Sequence, residues 1–344
     1  MSSGLNPRVR RTFTVIGHSP DLVELRTGVW NQQSFTLRDE TGSGKILNLV
    51  CGLDGSLTRR ELAKREGVSR ADVEAVIDHL YSLGAIEEEP ANALDAYLDT
   101  VAPLGGRPEL TGVADQVLIF GDFELTQQVG DALAGTTPCP VRAPAADPLW
   151  TQLLDLTASA SHDGLELAAL ATRFQPWARS LVITADRLID PLRARTLNRL
   201  AHQVGFSWIH AAIDGPFLFI GPTVLPHRSA CWECFETRVT MNLHESQSYL
   251  RYTNALARGQ VVTGRPPVLR AVGALLASHT ALEATNYLYS GSNFTIEKAL
   301  GIYLPTMEIA YNEVLPMPGC RGCAPIPERD APSLYFDARV WLDD

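Results

Sequence analysis

The sequence predicts an α/β protein preceded by a smaller α+β unit of winged-helix type. Three observations carry this. Buried-type strands alternate with helical segments after residue 114. A separate run of three short strands and three helical segments, two of them opening on capping boxes, fills residues 1–90. A Pro- and Gly-rich stretch, residues 91–113, lies between them. The 344 residues, 45% hydrophobic and 20% charged, supply a sizeable core. Their length fits about two or three domains. A net charge of −10 argues against a basic nucleic-acid footprint. The most apolar stretch, residues 268–289, carries Arg270, His279 and Glu283, which argues against a membrane span. No secretory signal pattern opens the chain, so the expected compartment is the cytoplasm, where structural disulfides are rare.

In the first unit, residues 11–17, 22–26 and 29–37 read as strands rich in Val, Thr, Phe and Trp. Helices follow at 42–51, at Thr58-Arg-Arg-Glu61 and at Ser69-Arg-Ala-Asp72, the last two opening on capping boxes. Val73, Val76, Ile77, Leu80 and Leu83 recur at helical spacing, and Gly84 stops the helix. A winged helix suggests DNA binding. The third helix, however, sets Arg70 against Asp72, Glu74 and Asp78, which a phosphate backbone would repel. Capture of an extended peptide on a free strand edge fits better. Strand 29–37 is the candidate edge and helix 70–83 the candidate wall. The expected contacts are Trp30, Gln32, Gln33, Ser34, Phe35, Arg70, Glu74, Ile77, Asp78 and Tyr81. The order of elements resembles the leader-peptide recognition element of pathways that modify ribosomally made peptides.

In the second unit, residues 116–120 form a buried strand, Gly121 a turn, and 123–133 a helix. This opens a nucleotide-binding α/β pattern. The phosphate fingerprint is eroded: Gly121-Asp-Phe-Glu-Leu-Thr126 keeps only its first glycine, and Asp122 and Glu124 place carboxylates where polyphosphate would lie. Residues 180–184, 208–212 and 217–221 read as further strands, 193–204 and 268–289 as helices, and 294–307 with 308–315 as an antiparallel pair. Residues 243–267 read as a mobile crossover loop.

Four of the six cysteines form two pairs, Cys231-Trp-Glu-Cys234 and Cys320-Arg-Gly-Cys323. Two such pairs complete a tetrahedral thiolate shell for a structural Zn²⁺, with no position left for water. Cys51 and Cys139 read as small apolar fillers, and Trp232 and Phe235 as packing around the metal turn.

Thr184-Ala-Asp186, Asn198, the Gly215 turn, Gly221-Pro222, the two cysteine pairs and the small-residue helix between them resemble the ThiF-type, ubiquitin-activating-enzyme-like fold, with a Rossmann-type sheet. The run from Gly221 to Arg238 is closer still to the ocin-ThiF-like, or F, proteins of azoline and thiopeptide pathways. In these a recognition element precedes a ThiF-like domain, here 114–344. That resemblance implies a degenerate nucleotide site at Gly121, Asp122 and Asp186, with no ATP bound by this chain. It also implies no catalysis: the Gly loop, the ribose-binding acid and the Asn-x-x-Arg-Gln stretch are missing, and Asp186 reads as a cap or ion-pair partner. It implies a homodimer, and as partners the leader of a precursor peptide and a YcaO-type cyclodehydratase that uses ATP to form azolines. The competing readings are a stand-alone ThiF-type adenylating enzyme and a zinc-stabilised winged-helix regulator.

Overall fold

In the computed structural model, which describes residues 6–30, 34–87, 92–101, 112–143, 147–156 and 164–324, both capping boxes form. Thr58 and Ser69 each accept the backbone N–H three residues on, and Glu61 and Asp72 return the bond. The helices so started are α2 (Arg59–Glu66) and α3 (Arg70–Ser82), which follow α1 (Ile46–Gly52). The chain divides into two compact units, 1–107 and 108–344.

The first unit begins with β1 (Arg8–Val9), β2 (Phe13–Ser19), β3 (Leu22–Thr27) and β4 (Ser34–Arg38). The last three form an antiparallel sheet in the order β2-β3-β4, with Val23 opposite Leu37 and Leu25 opposite Phe35. Alternation along β3 buries Val23 and Leu25 against Leu49, Val50, Leu62, Val73, Ile77 and Leu80 of the helices. After α3, β5 (Ile86–Glu87) pairs with β1, so the ends of this core are tied together. Helix α4 (Ala93–Val101) closes the unit. The expected strand 29–37 is shorter than its sequence suggests. Gly28, at φ 69°, begins a bend that carries Val29 and Trp30 out of the sheet.

The second unit is built on one sheet, which has seven strands among the described residues. In chain order its elements are β6 (Gln116–Gly121), α5 (Phe123–Leu133), β7 (Val141–Arg142), α6 (Pro148–Leu156), α7 (Gly164–Arg173), β8 (Ser180–Asp186), α8 (Pro191–Val204), β9 (Ser207–Asp214) and β10 (Phe217–Val224). They continue with α9 (Trp232–Asn242), α10 (Ser246–Ala257), α11 (Arg270–Ser290), β11 (Lys298–Tyr303) and β12 (Glu308–Glu313). The sheet order is β12-β11-β10-β9-β8-β6-β7. β7, β6, β8 and β9 run parallel, and β9 through β12 antiparallel.

Both faces of the parallel half are covered, which explains its unbroken apolar runs. Val117, Ile119, Leu181 and Ile183 point into a core with Leu125 and Val129 of α5 and Leu276 and Ala277 of α11. Leu118, Phe120 and Val182 point the other way, to Trp150, Leu153, Phe174, Trp177, Leu197 and Leu200. The loop expected over 243–267 contains α10 instead. Tyr249, Tyr252, Thr253 and Leu256 fall at helical spacing on it, though only Thr253 is buried. Cys51 is exposed, so it fills no core; Cys139 packs partly buried against the α11-side core.

Candidate functional site

The two cysteine pairs converge. Cys231 Sγ lies 3.8 Å from Cys234 and 3.6 Å from Cys320, Cys234 Sγ lies 3.5 Å from Cys323, and all four sulfurs fall within 4.8 Å of one another. A tetrahedron of metal–sulfur bonds of about 2.3 Å has edges of about 3.8 Å. The thiols are therefore placed to hold one metal ion. Cys231 is the N-cap of α9, where the helix dipole favours a thiolate. The Met317 N–H donates to Cys234 Sγ at 3.3 Å.

A polar clasp orients the first pair. Asn198, fully buried on α8, accepts the Trp232 N–H at 2.9 Å and donates to Glu233 Oε1 at 3.3 Å. Arg199 grips the same carboxylate at 3.0 and 3.1 Å. Arg195 holds Glu236 at 2.8 Å through two nitrogens, and Tyr249 of α10 donates to Glu236. The second pair enters the same clasp. A Cβ on Gly322 would lie 2.6 Å from Asn198 Nδ2 and 2.7 Å from Glu233 Oε1. Sequence reasoning found Asn198 only as part of a resemblance and missed the arginines. Their signal was spacing: Arg195 and Arg199 are four apart on one helix, Glu233 and Glu236 three apart on another.

Gly121, Asp122 and Asp186 also come together, at the carboxyl ends of β6 and β8, where β7 and β8 flank β6 on opposite sides. Open α/β sheets bind ligands at such a switch point. Here the crevice is filled. Arg187 donates to Asp122 at 2.9 Å, to Glu124 at 2.8 Å and to the Pro266 carbonyl at 3.1 Å. Asp122 is also the N-cap of α5, accepting the Glu124 N–H. Asp186 is buried and ion-paired with Arg193 at 2.8 Å. Burial pushes its carboxyl up to about 6, against the pull of Arg193. Neighbouring His210 is buried and pushed down to about 4 by desolvation. The space left among Asp186, Asp190, Arg193 and His210 is about 10 Å³, no more than a water needs.

The candidate peptide contacts scatter. β4 is an edge strand of its sheet, with β3 on one side and no strand on the other among the described residues. Ser34 is exposed on it, while Phe35 is half-buried with its ring centroid 5.8 Å from that of Phe13. Trp30 is 95% exposed. Gln32 and Gln33 lie outside the described residues. On α3, Arg70 pairs with Glu74 at 2.8 Å, and Asp78 and Tyr81 are exposed. Ile77 is a correction: it faces the core, 3% exposed, because its i−4 and i+3 neighbours Val73 and Leu80 form the buried stripe.

No family model matches the chain, and no curated protein matches it in sequence. Solved structures do match. The heterocyclase TruD superposes at a TM-score of 0.64 with 17% identity, over 93% of this chain and 43% of its own. A heterocyclase in complex with substrate and cofactor gives 0.64 and 13%, over 94% and 40%. E. coli MccB with AMPCPP and selenomethionine-labelled MccA gives 0.54 and 12%, over 92% and 99%. The mixed α/β fold is thus shared with these proteins, as the sequence resemblance implied. The chain spans less than half the length of the two heterocyclases.

Proposed function

We propose that this chain is a substrate-binding subunit in the modification of a ribosomally made peptide. It holds the precursor's leader and presents the rest to a separate ATP-dependent, YcaO-type cyclodehydratase that forms azolines. The carrying observation is the edge of β4, which no strand among the described residues pairs, a place where an extended peptide adds as one more strand. Exposed Trp30, Ser34, Asp78 and Tyr81 would supply contacts. On this reading residues 1–90 are a winged-helix recognition element, 91–113 a linker and 114–344 a ThiF-like domain of the ocin-ThiF-like type.

A further observation supports a non-catalytic role: the switch-point crevice holds Arg187, Asp122 and Glu124 where a polyphosphate would need room. The fourfold thiolate set and its closed shell favour Zn²⁺ in a structural role, fastening residues 314–324 to α8 and α9. Tethering a leader raises the local concentration of the attached core to about the mM range.

The test is a fluorescence anisotropy titration of a labelled precursor leader, taken from a short peptide gene encoded beside this chain's gene, against the full chain and its Trp30→Ala and Tyr81→Ala variants. Saturable binding, weakened at least tenfold by Trp30→Ala or Tyr81→Ala, supports the reading. Absence of binding sinks it. ATP–pyrophosphate exchange by the purified chain favours the adenylating enzyme instead.

A further inference from the structure

α8 turns one stripe of side chains toward α9: Arg195 grips Glu236, and Asn198 and Arg199 grip Glu233. His202 continues that stripe, three residues beyond Arg199 and four beyond Asn198. It is 7% exposed. His227, which lies before the first cysteine pair, holds it at two points. The His227 backbone N–H donates to His202 Nδ1 at 3.3 Å, and the His227 ring donates from Nε2 to the His202 carbonyl at 3.0 Å. His227 does this at a φ of 58°, a left-handed conformation uncommon outside glycine.

Because Nδ1 accepts an N–H, the neutral His202 ring carries its proton on Nε2. That Nε2 is buried and has no hydrogen-bond partner among the described residues. A buried donor without an acceptor has given up its bond to water and gained none in return. The two acceptors whose charge reaches the ring are Cys320 and Glu233. Glu233 is already engaged at both oxygens by Asn198 and Arg199. Cys320 is free to accept more. A neutral thiol does so weakly, and a metal-bound thiolate strongly.

We propose that His202 is a positioning residue for the thiol cluster, its Nε2–H donating to the Cys320 thiolate when a metal ion is held. Asn198 and Glu233 orient the first cysteine pair; His202 does the same for the second. His227 fixes which ring nitrogen carries the proton, so the segment leading to Cys231 also prepares the bond to Cys320. A hydrogen bond to a metal-bound sulfur draws off part of its charge and holds its direction. The proposal rests on the metal reading of the four thiols and stands apart from the peptide reading, which concerns the other unit.

The test uses the full chain. Proton–nitrogen spectra of the histidine rings give the tautomer, and loading with cadmium-113 gives the contact: the His202 Nε2 proton should couple to the metal across the N–H···S bond. His202→Leu, which cannot donate, should weaken metal retention against a chromogenic chelator at least tenfold. It should also move the thiolate charge-transfer band of the cobalt-loaded chain to lower energy. His202→Gln, which keeps an amide donor near the Nε2 position, should recover most of the loss. A merely structural role would lower the Tm equally with and without metal, whereas the loss expected for His202→Leu is greater in the loaded chain. A proton on Nδ1, no coupling to cadmium, or a His202→Leu chain that keeps its metal as the wild type does overturns the proposal. A wild type that takes up no metal overturns it together with its premise.

Discussion

The Arg187 guanidinium sits between the Asp122 and Glu124 carboxylates, 2.9 and 2.8 Å away, and so closes the carboxyl end of β6 with the protein's own charge. Arg187→Ala would leave two carboxylates side by side at the α5 N-terminus. The expected cost is about 1 kcal/mol, a fall in Tm of about 2–4 °C. Differential scanning calorimetry measures it. ATP should raise the Tm of neither the wild type nor the variant; a nucleotide-dependent rise in the wild type would show an open crevice.

Gly121 tolerates no side chain. Its φ is 128°, and a Cβ would lie 2.2 Å from the Ala185 carbonyl oxygen. Gly121→Ala must push β6 from β8 at the centre of the sheet, at a cost of about 3 kcal/mol or more. Urea denaturation of the soluble fraction measures the loss.

Acid should weaken the fold. His210 is held near 4 and His202 near 4, each mainly by burial, against about 6.5 in the unfolded chain. The unfolded state then binds more protons between pH 6.5 and 4, so stability falls as pH falls through that window. Each histidine costs about 2 kcal/mol between pH 7 and pH 5. Asp186, raised to about 6, works in reverse: the folded state keeps its proton longer, returning about 1 kcal/mol over the same interval. The net effect is a loss, and His210→Asn should flatten the pH dependence of the urea midpoint.

Removing the metal should loosen residues 314–324. A chelator strong enough to strip a thiolate site is expected to cost several kcal/mol and to expose four additional reactive thiols to a chromogenic reagent. Cobalt reconstitution should give thiolate charge-transfer bands at one ion per chain. Gly322→Ala, whose Cβ would press on Asn198 and Glu233, should weaken metal retention at least several-fold while all four cysteines remain. Unaltered retention would separate the clasp from the metal site.

Local signals in the sequence carried far. Capping boxes, apolar runs and the small-residue helix placed β6, α5, β8, α3 and α11 to within two residues at each end, and the start of α2, because each follows from its own few side chains. The cysteine spacing gave the four-thiol cluster. What stayed hidden depends on partners distant in sequence. α10 does space Tyr249, Tyr252, Thr253 and Leu256 at helical intervals, but its short stripe sits among charged and turn-forming residues, and its tie to the fold runs through Tyr249 to Glu236 and Arg195. Ile77 satisfied the chemistry of a groove residue, yet its helical phase with Val73 and Leu80 had already assigned it inward. The role of Arg187 needed β6 and β8 side by side.

The pairing of Cys231 with Cys320 spans 89 residues. During synthesis the parallel strands and α8 leave the ribosome well before the last cysteine does. The clasp of Asn198, Arg199 and Glu233 lies wholly within that earlier stretch, and the second thiol pair, with Gly322 against the clasp, arrives last. A chain stalled or clipped before that point would display its sheet and lack its fastening, so a cell could tell finished copies from unfinished ones by protease resistance alone.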